Sequence, residues 1–372
     1  MNKQKKKVML IGSGTMSLYQ HRKELISQLI SHDLEVSVIA PDGDEASLIQ
    51  DLGCNYIQIN METRGTNPFA DMKLLSSIVA TIRRVKPDLV LTFYTKTNIY
   101  GGIACRITST PYIVNITGLG SAMVSGGLKQ KLVSTLYKAA VKDANLVYFQ
   151  NKSNRNYFRD NHFGINAFQM LPGSGVALDR HRLLPYPADN SKIKFVFIGR
   201  VIAQKGIGEF IEAAKSIIRR YPETEFHIVG PVEGIAGPIV ESIKTNPHFV
   251  VHGKVIDVRP ILKEMHCTVF PSYYPEGMAN VLLESAAAGR PIITTDCPGC
   301  VETVEDGVTG FIVKPRDSKS VADAMERFIA LHPAEKENMG LKGRMKMERE
   351  FDRQIVIDAY LTQINSILSS LH

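Results

Sequence analysis

The chain has 372 residues, 44% of them hydrophobic and 22% charged, a globular composition that excludes a disordered polypeptide. No run of about 18 apolar residues is present to span a bilayer, and five cysteines, an odd number in a long chain, argue against a disulfide framework and for a cytoplasmic protein. The net charge of +7 is uneven: residues 1–190 carry 22 Lys and Arg against 14 Asp and Glu, and the remainder 22 against 23, so the first half is the one suited to anionic headgroups, phosphates or nucleic acid.

The start, "MNKQKKKVMLIGSG", has basic residues but an apolar run only from Val8 to Ile11, too short for a signal-peptide core. Short β-branched runs then alternate with helical patterns. Strands are expected over 7–11, 35–39, 88–93, 112–116 and 145–149. A second set is expected over 193–198, 225–229, 249–252, 267–270, 291–294 and 310–313. Such alternation predicts parallel sheets with helices on both faces. Ile207, Phe210, Ile211, Ala214, Ile217, Ile218 and Tyr221 form one helical stripe. "LLPYPADNSK" (183–192), with two prolines ahead of a fresh strand, marks the boundary between two similar α/β domains. The expected division is 1–188, 189–352 and a C-terminal helix within 353–372. That helix, with Val356, Tyr360, Ile364, Ile367, Leu368 and Leu371 at helical spacing, needs a surface to cover and is expected to pack back on the first domain.

Two segments of the second half carry chemistry. In "KFVFIGRVIAQKG" a strand ends at Gly199, Arg200 follows, and Lys205 precedes a helix. Two cations beside a helix N-terminus at the carboxyl edge of a parallel sheet suit a diphosphate. In "PSYYPEGMANVLLESAAAGRP" the carboxylates of Glu276 and Glu284 are eight residues apart, roughly 9–12 Å along a helix axis. That separation is too great for one shared proton or metal ion and fits two handles on an elongated ligand. Glu284, amid leucines and alanines, is costly to bury without hydrogen bonds, which ribose hydroxyls supply. The N–H groups of Met278, Ala279 and Asn280, after Gly277, are placed to meet a phosphate or a sugar hydroxyl. The alternative is a surface pair, with Glu284 bridged to Arg290.

This second-half segment, over 193–317, resembles the donor-binding core of retaining glycosyltransferases of GT-B architecture in the large family called family 4, including its E-x7-E signature. "GRVIAQKG" is similar to that family's diphosphate-binding Arg…Lys segment. "YTKTNIYGGIACRITSTPYIVNITGLGSA" (94–122) resembles the subgroup that builds capsule, O-antigen and undecaprenyl-diphosphate-linked glycans, some of whose members are N-acetylgalactosaminyltransferases. Where some relatives carry His, this chain has Thr95, so no acid/base role carries over to that position.

The resemblance implies two Rossmann-like α/β domains facing a cleft, the first binding the acceptor and the second the nucleotide sugar. It implies transfer of a hexose or N-acetylhexosamine, most simply from a UDP donor, to a hydroxyl of a lipid-linked or surface-glycan acceptor, with retention. Arg200, Lys205 and Glu276 are the expected catalytic residues. Gly14, Gly277, Met278, Ala279, Asn280 and Glu284 are expected on the donor. Lys96, Asn98, Gly118, Gly120 and His21 are expected on the acceptor side, His21 and its neighbour Arg22 being equally readable as surface residues. The basic first half then suits peripheral contact with an anionic membrane on its cytoplasmic side, and no nucleic-acid partner is expected.

The rival readings are weaker. "IGSGTMS" has Ser17 where a dinucleotide fingerprint needs its third glycine. "DCPGC" (296–300) has a redox-type spacing but reads as a turn. "DGDE" (42–45) reads as a solvated turn, so neither a metal nor another cofactor is expected. A GT-B epimerase or phosphorylase needs a base, phosphate or pyridoxal motif that the sequence lacks, and a non-catalytic sugar-nucleotide binder has no need to keep all four charged residues.

Overall fold

The computed structural model describes residues 5–62, 67–120, 123, 126–188, 191–274 and 276–371. Of the segments quoted above, Met1, Asn2, Lys3, Gln4, Ser121, Ala122, Asp189, Asn190 and Pro275 therefore lie outside the described residues.

Two compact units divide the chain: residues 1–174 with 354–372, and residues 175–353. The first is built on a parallel sheet of β1 (Lys7–Ile11), β2 (Glu35–Ala40), β3 (Asn55–Gln58), β4 (Leu89–Phe93), β5 (Tyr112–Ile116), β6 (Leu146–Phe149) and β7 (Phe168–Met170), in the order 3-2-1-4-5-6-7. The second has β8 (Ile193–Ile198), β9 (Thr224–Val229), β10 (Phe249–Gly253), β11 (Cys267–Phe270), β12 (Ile292–Thr295) and β13 (Gly310–Val313), in the order 10-9-8-11-12-13. The central strands are apolar on both faces because helices cover both. Each sheet reverses its winding once, between β1 and β4 in the first and between β8 and β11 in the second. Ligands of doubly wound folds bind beyond the carboxyl ends of such strands, where the flanking loops part.

The boundary falls ahead of the proline-rich segment rather than within it. Val176 is buried in the second core, its N–H donating to Phe351 O at 2.8 Å and its carbonyl accepting from Arg353 N–H at 3.0 Å. Further on, Pro185 O accepts from Arg290 and Tyr186 Oη donates to His266 O, so 175–188 is stitched to the second unit. The C-terminal helix, Arg353–Ser369, belongs to the first unit from Gln354 onward. Val356, Tyr360, Ile364 and Leu368 are buried there, and the Tyr360 hydroxyl accepts from Asn115 Nδ2 at 2.6 Å. Leu371 lies past the helix and is exposed. No described helix is long and apolar enough to cross a membrane.

Candidate functional site

The reversal point of the second sheet gathers the charged residues. After β8 the chain turns at Gly199 and Arg200 into a short 3-10 turn, Ala203–Lys205, and then into the helix Ile207–Arg220. Gly206 makes that passage at φ 80°, with Pro271 O only 2.1 Å from where a Cβ would stand, so no side chain fits there. After β11, Tyr273 N–H and Ser272 Oγ both donate to Gln204 O, welding the two loops together. The weld brings the Lys205 ammonium into contact with the Glu276 carboxylate. Lys205 also lies over the rings of Phe270 and Tyr274, at 5.5 and 5.3 Å. Burial draws its pKa down to about 8, with the charge of Arg200 adding to the depression. Arg200 is 42% exposed and faces Glu233 at 3.5 Å, a loose solvent-screened pair that leaves its guanidinium able to turn to a ligand.

Glu276 is held from behind by the loop that contains the two neighbouring cysteines. Its N–H donates to Pro298 O, and Ala279 N–H donates to Gly299 O at 2.8 Å. Of the three N–H groups expected to meet a donor, that of Ala279 is thus already committed. Gly299 has φ 82°, and a Cβ on it would stand 2.6 Å from Glu276 Cβ. Its N–H is fixed by Glu302 Oε2 at 2.7 Å. Gly299 and Glu302 are supporting residues that the sequence did not reveal, because the approach that gives their loop its role, Gly299 against Glu276, joins segments remote in the chain. Burial raises both thiols, Cys300 to about 12, which keeps them protonated and unreactive near neutral pH.

Gly277, Met278 and Ala279 are buried, the latter two as part of the core, so they offer backbone rather than side chain to a ligand. Asn280 opens the helix Asn280–Ala287, which carries Glu284 in its second turn. Glu284 does not bridge to Arg290. That arginine is buried and donates to the carbonyls of Leu262, Gly289, Lys263 and Pro185. Among the described residues the Glu284 carboxylate has neither a hydrogen bond nor an ion pair. Burial pushes its pKa up to about 7, against the opposing charges of Arg353 and Arg180. A half-buried carboxylate lacking protein donors is suited to accept from ligand hydroxyls.

The reversal point of the first sheet places Gly14 and the turn after β4 together. Gly14 precedes the helix Thr15–Ser31, whose N-terminus has no side-chain cap. Tyr94, the last residue before the helix Thr95–Thr108, is held at φ 72°, a strained conformation for a residue with a side chain. Sequence reasoning passed over it because nothing in the pattern signals a left-handed tyrosine. Gly118 and Gly120 have φ of 143° and 74°, and Gly120 packs against the Thr95 hydroxyl.

Two residues expected on the acceptor side are engaged within the first unit. Asn98 is completely buried and donates to Asn115 O and Tyr137 Oη, both at 2.8 Å, so it is a core residue and not a surface contact. Lys96 turns back to Asp71 at 2.8 Å and donates to Glu62 O at 2.7 Å, leaving its ammonium largely neutralised. His21 stays half-buried, whereas its neighbour Arg22 points inward, 1% exposed, 4.5 Å over the Phe93 ring.

Comparison with known proteins matches residues 192–330 to the family model described as glycosyl transferases group 1, and residues 7–151 to that described as glycosyl transferase 4-like. The N,N'-diacetylbacillosaminyl-diphospho-undecaprenol alpha-1,3-N-acetylgalactosaminyltransferase of Campylobacter jejuni is 26% identical, over 95% of this chain and 97% of its own. The capsular polysaccharide biosynthesis glycosyltransferase CapM of Staphylococcus aureus is 27% identical, over 92% and 93%. Among solved structures, Anabaena HepE in complex with UDP and glucose superposes with a TM-score of 0.79 at 17% identity, over 97% of this chain and 99% of that one. The architecture is GT-B.

Proposed function

The chain belongs to the glycosyltransferases, and from that premise we propose that it moves a hexose or N-acetylhexosamine from a UDP donor to a hydroxyl of a lipid-linked acceptor, with retention of anomeric configuration. The observation that carries this reading is the meeting of Lys205 and Glu276 at the reversal point of the second sheet, with Arg200 beside them. Lys205 and Arg200 neutralise the diphosphate as the anomeric C–O bond breaks, which is where fixed positive charge lowers the barrier. Glu276, with the backbone of Gly277 and Met278, orients the sugar hydroxyls, and Glu284 accepts from the ribose. The acceptor oxygen bonds to the anomeric carbon on the face that the diphosphate leaves, and its proton passes to the departing phosphate oxygen.

The two cations take the charge-stabilising role that a metal ion fills elsewhere. Among the described residues, no three His, Cys, Asp or Glu side chains come together as a metal site. The lipid-linked acceptor is supported by the printed activity of the Campylobacter relative, and UDP by the ligand of the Anabaena protein. The test is incubation with radiolabelled UDP-sugars and an undecaprenyl-diphosphate-linked sugar, with and without EDTA, and NMR assignment of the product anomer. EDTA-resistant transfer to an α-linked product from an α-linked donor is expected. An inverted product, or a strict Mn²⁺ requirement, overturns the corresponding part of the reading.

A further inference from the structure

Arg22 in the first unit and Arg290 in the second are both enclosed, at 1% and 0% exposure, yet their surroundings differ. Arg290 directs its N–H groups at the carbonyls of Leu262, Gly289, Lys263 and Pro185, as a structural arginine does. Arg22 makes one hydrogen bond, from Nη1 to the carbonyl of its own neighbour, His21, at 3.3 Å. Among the described residues its Nε and Nη2 meet no acceptor, and no carboxylate pairs with it. The Phe93 ring at 4.5 Å offers a weak attraction and takes no charge-assisted hydrogen bond. A guanidinium keeps its charge inside a protein, so this one is desolvated without compensation. Nε and Nη2 form the parallel edge of the group, the edge that takes two oxygens of one carboxylate or phosphate.

That edge lies near the place where ligands of this fold bind. Arg22 stands in the helix Thr15–Ser31, and helical side chains lean toward the N-terminus. Phe93 is the last residue of β4, so the guanidinium is level with the carboxyl edge of the first sheet. The helix starts at that edge, at the reversal point, behind Gly14 and without a side-chain cap. Glu45, the acidic group at its first turn, is engaged by the Thr15 hydroxyl at 2.9 Å. Tyr94 and Tyr360 flank the guanidinium: burial raises the pKa of both phenols, and the Arg22 charge opposes the rise in each. Tyr360 is already bonded by Asn115. Tyr94 is half-buried, stands just past β4, and carries the strained backbone that marks positions kept for more than packing.

We propose that Arg22 is an oxyanion-binding residue of the first unit, whose Nε–Nη2 edge takes a phosphoryl group of the acceptor. The open N-terminus of its own helix adds a favourable field for an anion at the same edge. Tyr94 turns aside as the anion enters. The source of the phosphoryl group, a diphosphate-linked acceptor, rests on the function proposed above; the unpartnered edge does not. Arg22 is not one of the cations assigned to the donor, Arg200 and Lys205, which belong to the other unit.

The full chain is saturated with UDP, so that the donor cations are occupied, and inorganic pyrophosphate is then titrated by calorimetry. Wild type is expected to bind it. R22M is expected to lose this binding, and R22K, which keeps the charge without the fork, to bind roughly ten- to a hundredfold more weakly. Without ligand, R22M is expected to melt no lower than wild type, because it replaces an uncompensated buried charge by an apolar chain of similar length. In turnover, R22K is expected to raise KM for a short-chain diphosphate-linked acceptor by a similar factor, and to leave the Kd of UDP unchanged. Calorimetry involves no sugar transfer, so it is able to fail while the enzymatic reading stands. A UDP-saturated wild type that ignores pyrophosphate overturns the proposal, and so does an R22K variant that binds it as wild type does. R22K carries the test by itself where R22M does not fold. Weaker UDP binding in R22K with an unchanged acceptor KM gives the edge to the donor and overturns its assignment to the acceptor.

Discussion

Lys205 and Glu276 are in direct contact although 71 positions separate them in the chain. The contact exists because the Gln204 carbonyl binds both loops, and it sets a carboxylate against the buried ammonium that is proposed as the catalytic cation. Burial favours a neutral Lys205, and the Glu276 carboxylate opposes it. Replacing Lys205 by Ala is expected to lower kcat by about 10²–10³, the loss typical of a preorganised donor on a developing oxyanion. Glu276→Gln tests the coupling. Without the carboxylate, the ammonium loses its proton at a lower pH. An alkaline limb of kcat/KM governed by Lys205, whose pKa burial draws down to about 8, is therefore expected to move to lower pH in that variant. A limb that stays in place separates Glu276 from the protonation of Lys205.

Glu284 yields a stability prediction of defined sign. Its folded pKa, about 7, is raised from 4.5 by burial. The folded state therefore holds this proton more tightly than the unfolded chain. The resulting stabilisation is complete below about pH 4.5 and is lost as pH rises through 7. Above that, the ionised carboxylate destabilises the ligand-free protein. Glu284→Gln is expected to raise stability at pH 8 by about 1–2 kcal/mol, a value discounted for partial exposure, and to change it little at pH 4. The same variant is expected to bind UDP at least tenfold more weakly, because an amide is a poorer acceptor for the ribose hydroxyls. Chemical denaturation at the two pH values and calorimetric titration of UDP measure both effects. A carboxylate of purely structural role would give a loss of stability at pH 8 and unchanged affinity.

Much of this architecture is legible in the sequence, and the exceptions have physical causes. The strands read from apolar runs all form, because a buried parallel strand needs such a run and little else does. Missing from the sequence reading are β3, "NYIQ", and β7, "FQM", which are the two edges of the first sheet. Edge strands are half-solvated and carry no apolar run to recognise. In the second unit, Lys205 and Glu276 lie in the loops beyond β8 and β11, and Glu284 lies in the second turn of the helix that follows. Lys96 and Asn98 are not where a surface reading puts them. Their partners, Asp71 and Tyr137, come from neighbouring helices, and a local pattern carries no information about which polar residues the packing of helices will join. The carboxyl edge of β4 is legible as a place, while its strained residue, Tyr94, is not.

Gly299 tests whether the loop behind Glu276 positions it. At φ 82° a side chain is strained, and a Cβ there would overlap both Glu276 Cβ, at 2.6 Å, and Glu276 O, at 2.8 Å. Gly299→Ala is expected to displace the carboxylate and reduce kcat by about tenfold or more, because misplacements of this scale are costly to a positioned group. Cys297→Ser, two residues away, is expected to leave kcat and its response to dithiothreitol unchanged. Equal activity in Gly299→Ala and wild type would remove the supporting role assigned to this loop.

The C-terminal helix is tied to the first unit by a polar contact inside an apolar one, and the two are separable by mutation. Tyr360 is fully buried, with its ring 4.8 Å from Tyr148 and 6.2 Å from Phe93, while its hydroxyl accepts from Asn115 at 2.6 Å. Tyr360→Phe keeps the ring contacts and leaves the Asn115 amide without that acceptor, at an expected cost of about 1–2 kcal/mol. Tyr360→Ala removes the ring as well and opens a cavity among Tyr148, Phe93 and Ile364, at an expected cost of about 3–5 kcal/mol. Lys205 and Glu284 belong to the other unit, so UDP affinity measured below the unfolding temperature is expected to be retained in both variants. Thermal melting with a parallel UDP titration checks the pair of statements. An alanine variant as stable as the phenylalanine variant would mean that the helix contributes through its hydrogen bond alone, contrary to the buried stripe of Val356, Tyr360, Ile364 and Leu368.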